Sequence, residues 1–299
     1  MTSTLANLID EVLMSLAGYT YQQDRSTYLT AGITASSILL PLASSDNVGK
    51  GIVEIGDELL WVDSFDRLGN TADVPPYGRG YLGTTAAIAA IHSKVTISPT
   101  FPRFAIKRAI NDTISAIGGQ LSAVKKTTVT SNAVINTYSL GVSTAKSVLS
   151  LTYEDVGPSK EWHNIRNWRF DPNPNSAAFG GFQTVTINDL ITSGRTVQVV
   201  YLGRPTQLDS STDVFETVTG YAESVKDVII YGAVYRLLAF LDPAKAAMVS
   251  PQADETDSKR PFGSSGTTTK QIYSLFQQRL NEEIRNQQAS NPIRVHYQS

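Results

Sequence analysis

Three histidines, His92, His163 and His296, are all that this 299-residue chain contains. They stand far apart, no HExxH pair puts two of them on one helix face, and no third ligand follows at a usual metal-site spacing. With no cysteine in the chain, thiol chemistry, zinc–thiolate sites and disulfides are excluded. Gly78-Arg79-Gly80-Tyr81-Leu82-Gly83 spells GxGxxG, but a dinucleotide turn needs a core strand before it and an acid about 20 residues after it. The preceding NTADVPPY carries two prolines, and no acid stands at that distance. The neighbouring acids Asp57-Glu58 and Glu154-Asp155 supply the carboxylates that glycoside hydrolysis uses. Adjacent acids are also common in turns, and both pairs read as turn residues. Asp171-Pro-Asn173-Pro-Asn175 opens like a calcium loop but lacks glycine at its sixth position and has Phe182 at the twelfth, so it reads as a proline-stiffened turn. No GxSxG elbow, GxxxxGK[ST] loop or kinase set occurs. These residues predict a protein that is not an enzyme and uses no cofactor or metal.

Composition narrows the class. Hydrophobic residues make up 41% and charged residues 17% of the chain, with a formal net charge of -2. This is globular composition without a general electrostatic reason to bind nucleic acid or an anionic membrane. MTSTLANLIDEV has no basic segment followed by an apolar one, which predicts no signal peptide.

Four segments carry helical periodicity. Tyr221 to Leu241 is apolar on most of its circumference, the mark of a buried helix, and Asp242-Pro243 is expected to end it. Leu5, Leu8, Ile9, Val12, Leu13 and Leu16 line one face of a first helix, with Ser3 or Thr4 as N-cap and Gly18 as stop. From Thr100 to Ile117 the apolar side is Ile106, Ile110, Thr113, Ile114 and Ile117, with Pro102 in the first turn. Arg103, Lys107 and Arg108 make the opposite face basic: a solvated face, or one that meets an acidic subunit or DNA. After a Pro-, Ser- and Gly-rich linker, Ile272, Leu275, Phe276, Leu280 and Ile284 form the stripe of a last helix capped by Thr268 or Thr269.

Between these helices the period changes to that of strands. ILLPL, GIVEIGDELLWVDSF and KVTIS predict a small β domain, and the runs from Val124 to Phe215 predict a larger β-sandwich. Trp162, Trp168, Phe170, Phe179, Phe182 and Tyr201 read as sandwich core or as a sugar-binding platform. The fold class is therefore α+β, a helical bundle core of about four helices with two inserted β domains. The domains are 1–25, 99–123 and 216–290 (discontinuous bundle), 26–98 (small β domain), 124–215 (β-sandwich) and 291–299 (extended C-terminal docking tail). Ile293, Val295 and Tyr297 alternate with polar residues in that tail. Such a segment adds to another subunit's sheet edge or groove, or else it is a frayed end.

Two resemblances add to this reading. GIVEIGDELLWVDSF, a turn at Gly69-Asn70, and YGRGYLGTTAAIAAIHSKVTI together resemble a β module of tailed-bacteriophage virion proteins, with a "gDE" strand end and an RGxxGTTAAxHxxGxxV segment. Arg79, Gly80, Gly83, Thr84, Thr85, Ala86, Ala87 and Val95 match, while Ala89 stands at the His position and His92 at the Gly position. The resemblance implies a β-module turn at Arg79, Gly80, Gly83 and Thr84. The whole-chain layout and the region VKDVIIYGAVYRLLAFLDPAKA through QQRLNEEI resemble head-to-tail adaptor, or connector, proteins of tailed phages. That likeness implies a structural virion protein, made in the host cytoplasm and placed at the capsid vertex or neck. It implies a homo-oligomeric ring of about twelve copies that joins portal to tail. The implied partners are the portal protein, neighbouring copies, tail or tail-terminator/nozzle proteins, and passing genomic DNA without sequence specificity during ejection; no membrane is implied. Pro292, Ile293, Arg294, Val295, His296 and Tyr297 would dock on the portal. The alternative is a tail or baseplate-associated subunit with a carbohydrate-binding β-sandwich.

Overall fold

The computed structural model describes residues 3–18, 24–155, 160–246 and 264–291. The expected docking residues Pro292 to Tyr297 and most of the linker lie outside the described residues. Helices and several antiparallel sheets mix along the chain, an α+β architecture. The chain divides into two compact units, one drawing on Met1–Leu5, Asn111–Ile229 and Ser274–Ser299, the other on Ala6–Ile110 and Ile230–Tyr273.

Helix α1 (Leu5–Ala17) forms where the apolar stripe predicts it, and Leu5, Leu8, Ile9, Val12 and Leu16 are at most 1% exposed. Ser3 does not cap it. Its hydroxyl donates to the Glu223 carboxylate, while the Leu5 N–H donates to the Asp213 carbonyl at 3.0 Å. A backbone acceptor from a distant segment thus satisfies one of the four first-turn donors.

Short strands follow: β1 (Arg25–Tyr28), β2 (Leu39–Pro41), β3 (Gly51–Ile55), β4 (Glu58–Val62), β5 (Ser64–Asp66), β6 (Thr71–Asp73) and β7 (Lys94–Ile97). They pair antiparallel in two sheets, ordered β1-β7-β3-β4 and β2-β6-β5, over one cluster that includes Leu29, Leu40, Val53, Leu60, Val62 and Val95. The β5–β6 turn contains Asn70 at φ 50, a left-handed conformation that asparagine tolerates. Asn70 Oδ1 also accepts the Ser45 N–H at 3.1 Å, which ties the turn to the segment after β2.

Helix α2 (Arg103–Ile117) begins after Pro102, whose carbonyl accepts the Ile106 N–H at 3.1 Å. A proline placed there loses no hydrogen bond. Ile106, Ile110, Thr113, Ile114 and Ile117 are buried as the spacing requires, and Arg108 is exposed. Arg103 departs from the expected solvated face, because its guanidinium pairs with Asp10 at 2.8 Å and Asp57 at 3.4 Å.

Strands β8 (Ala123–Thr130), β9 (Thr137–Ser139), β10 (Ala145–Glu154), β11 (Trp162–Ile165), β12 (Trp168–Asp171), β13 (Thr184–Ile187) and β14 (Thr196–Gly203) make two more antiparallel sheets, β11-β10-β14-β8 and β12-β13-β9. Residues of both sheets share a cluster that includes Tyr138, Leu151, Ile165, Val185, Val197 and Val199. Between β12 and β13 the Asp171–Asn175 segment is a turn. Asp171 Oδ1 accepts the Asn173 N–H at 3.0 Å, and Asn175 caps the short α3 (Ser176–Phe179) through the Ala177 N–H.

The remaining helices are α4 (Phe215–Thr219), α5 (Lys226–Ala246) and α6 (Ser264–Ser290). Helix α5 continues through Asp242-Pro243, where the sequence predicts its end. An interior proline adds a cost of about 3 kcal/mol rather than an absolute bar, and one lost hydrogen bond near the end of 21 residues does not stop the helix. Helix α6 starts at Ser264, ahead of the expected threonine cap. Its buried stripe is Ile272, Phe276, Leu280 and Glu283, whereas Leu275 is 41% exposed. The cause is angular, since steps of four, four and three residues track one helical face and Leu275 falls beside it.

Candidate functional site

The adjacent acids Asp57-Glu58 separate in the structure. Asp57 lies in the β3–β4 turn, exposed and paired with Arg103. Glu58 is the first residue of β4, its side chain is 2% exposed, and the turn reading fails for it. Its partner is Arg79, 5% exposed, which grips it with two bonds: Nε to Oε1 at 2.8 Å and Nη2 to Oε2 at 2.9 Å. Two backbone donors complete the carboxylate, Gly80 N–H to Oε1 at 3.0 Å and Ala87 N–H to Oε2 at 2.9 Å. The guanidinium spends its other donors on the carbonyls of Thr34 at 2.6 Å, Ser37 at 2.9 Å and Ala87 at 2.9 Å. Burial alone would raise the Glu58 carboxyl, but the Arg79 bonds and the two backbone N–H groups outweigh it and hold the group below its ordinary value.

Glycine and threonine make that knot fit. Gly80 has φ 58, and a Cβ there would meet the Thr84 carbonyl oxygen at 2.7 Å. Thr84 Oγ1 accepts the Leu59 N–H at 3.1 Å and donates to the Tyr81 carbonyl at 3.0 Å, so a side chain covers part of the β4 edge. Gly83 follows the turn at φ 84. Of the four residues singled out as a turn, Arg79 and Gly80 hold the buried carboxylate, Thr84 bonds the next strand residue, Leu59, and Gly83 shapes the turn between them. Glu58, which the sequence reading had only as a turn acid and as the last letter of the "gDE" strand end, is the member whose burial it missed. His92, where the resembled pattern has glycine, sits at φ 67 with its ring 5.9 Å from Tyr28.

Chemically the knot is closed. All five guanidinium N–H groups and both carboxylate oxygens are engaged within the protein, leaving no donor or acceptor for a reacting group. A second buried acid, Glu54 on β3, is 6% exposed and accepts the Arg103 N–H at 2.5 Å at the start of α2. Burial pushes its carboxyl up to about 7 against the opposing pull of Arg103.

Among the described residues the later β region brings no comparable ionic centre together. Glu154 closes β10 and is a strand residue, not a turn residue. His163 lies 3.7 Å from Asp155 at a partly exposed edge, and His296 is outside the described residues. The aromatics divide: Tyr201 is buried, Trp168 and Phe170 pack on the cluster, and Trp162 and Phe182 are exposed. Among the described residues no group of three or more His, Asp or Glu is placed to hold a metal ion, and no helix is long and apolar enough to cross a membrane.

Comparison with protein families matches residues 84–296, more than two thirds of the chain, to the model described as SU10 adaptor protein. No curated protein matches the chain.

Proposed function

This chain belongs to the SU10 adaptor protein family, structural components of phage virions, and from that premise we propose that it is a ring-forming head-to-tail adaptor that connects the capsid portal to the tail and lines the DNA passage. The observation that carries the reading is the family match, which runs from inside the RGxxGTTAA segment to the C-terminal region. Ties between helical segments within each unit are in keeping with a helical hub. In one unit Ser224 Oγ donates to Glu283 at 2.8 Å, Arg279 reaches Asp227 at 3.7 Å, and Gln287 bonds the backbone of Ser122. In the other, Arg103 pairs with Asp10, and Tyr235 lies 5.0 Å from Tyr273.

In this reading residues 1–25, 99–123 and 216–290 form the hub, 26–98 and 124–215 are the projecting β domains, and about twelve copies close by heterologous contacts. The segment around Arg79 serves as the β module of a virion protein. Residues 291–299 dock on the portal through Pro292, Ile293, Arg294, Val295, His296 and Tyr297, by apolar side chains in pockets and backbone bonds. Tail or nozzle proteins bind the opposite end of the ring, and genomic DNA passes without sequence readout. The carbohydrate-binding alternative draws less support, because Trp168 and Phe170 pack on the apolar cluster and Tyr201 is buried.

Deleting Ile293–Ser299 tests the docking role. Heads without tails are the expected product, and normally tailed virions would remove that role. Imaging of the full protein mixed with portal is expected to show closed rings at the portal vertex. Glycan binding by the full chain, with no portal association, would favour the alternative.

A further inference from the structure

The Glu58–Arg79 knot holds loops whose outer side chains are apolar. Ile38 follows Ser37 and Ile88 follows Ala87, the two residues whose carbonyls bind Nη1 and Nη2 of the same guanidinium. Ile38 is 57% exposed and Ile88 79%. Leu82, 61% exposed, is held at φ 55 between Gly80 and Gly83, and Ile91, 51% exposed, lies against Gly32. Each such side chain keeps apolar surface in water that a covering partner would remove from it. A buried ion pair beneath the loops and aliphatic groups on top are the two parts of a preorganised contact face: a rigid support, and a surface that gains free energy once covered.

The distribution of charge selects the partner. Thr30 to Ser45 and Gly80 to Ser93 contain no Asp, Glu, Lys or Arg, in a chain that is 17% charged. Nucleic acid would be gripped by cations, and an oppositely charged protein by complementary charge, and these segments offer neither. Contacts between permanent like subunits are the most apolar and charge-poor class of interface. We propose that the face carrying Ile38, Leu82, Ile88 and Ile91 is where a second copy of this chain seats. It is one side of a heterologous subunit contact, and the assignment rests on the ring reading above.

The test compares the full chain with the double variant Ile38→Asp/Ile88→Asp by mass photometry and sedimentation velocity, alone and with portal present. Leu68→Asp, at a position 98% exposed in the β5–β6 turn, is the control, and Ile88→Ser provides a milder variant. The parent and the control are expected to assemble alike. The double variant is expected to need ~100-fold more protein to assemble, with unchanged thermal unfolding, and Ile88→Ser is expected to fall between them. A folded double variant that assembles like the parent overturns this face and leaves the ring reading intact. A control that dissociates equally also overturns the face, because position would then not matter. A parent that stays a single copy at every concentration, with and without portal, overturns both.

Discussion

The early β region (25–97) and the later one (123–203) each lay two antiparallel sheets over one apolar cluster, yet they lock those sheets with different chemistry. The early region uses charge, through Glu58 and Arg79, both almost fully buried. The later region uses a neutral amide. Gln183, 8% exposed, accepts the Ala145 N–H at 2.7 Å and donates to the Ala145 carbonyl at 2.8 Å, joining the start of β10 to the start of β13. Geometry explains the choice. A guanidinium fork reaches the Thr34, Ser37 and Ala87 carbonyls at once, and those loops have few ladder bonds of their own. An amide matches one backbone residue and suits chain already in strand register. The consequence is energetic: breaking a buried ion pair leaves a naked charge, whereas breaking an amide pair leaves only neutral groups unsatisfied.

Removing the fork is the severest way to strain that contrast. Arg79→Ala is expected to cost the early region about 3–5 kcal/mol, because Glu58 stays buried without its partner. Hydrogen exchange would show β4 amides losing protection while β10 and β14 keep theirs, and equal loss in both regions would break the contrast.

Titration is the next largest lever. Glu54 has a folded value of about 7 against an ordinary 4.5. Its raised value means that this stability is complete below about pH 4.5 and is lost as pH rises towards 7, by about 3 kcal/mol. Glu58 works the other way: held below 4.5, it contributes fully above that pH and loses its contribution as pH falls through its lowered value. The early region should therefore be most stable near about pH 5, and Glu54→Gln should remove the loss on the alkaline side. Region-resolved denaturant melts from acid to neutral pH check this, with the Gln183 lock expected to stay level.

The mildest effect belongs to the amide. Gln183→Ala should cost about 1–3 kcal/mol, the penalty of leaving the Ala145 backbone groups unsatisfied. It should be visible as faster exchange at Ala145 and Leu140 with the β3 and β4 amides unchanged. Loss of protection in β4 as well would mean that the two locks are not separate.

Much of the fold was legible from spacing. The stripes of α1 and α2, the apolar run after Glu58 and the turn residues at Gly69-Asn70 and Asp171–Asn175 all report local geometry, which a few neighbouring residues decide. Some departures from the sequence reading came from a distant partner. Ser3 found Glu223, and Arg103 found Asp10 and Asp57. The turn glycines of the site and the Asp-Glu pair were visible, but not which acid would be buried, because the same pair of letters holds one exposed turn residue and one buried charge.

Periodicity, composition and the absence of cysteine determined that this would be an α+β protein with apolar helix stripes, short strands and no thiol chemistry, because each of these depends on residues within a turn or two of one another. Tertiary structure alone decided that Glu58 would be taken out of water and Asp57 left in it. Arg79 stands 21 residues further along the chain, and a buried carboxylate becomes tolerable only when that guanidinium and the Gly80 and Ala87 N–H groups are brought to it together.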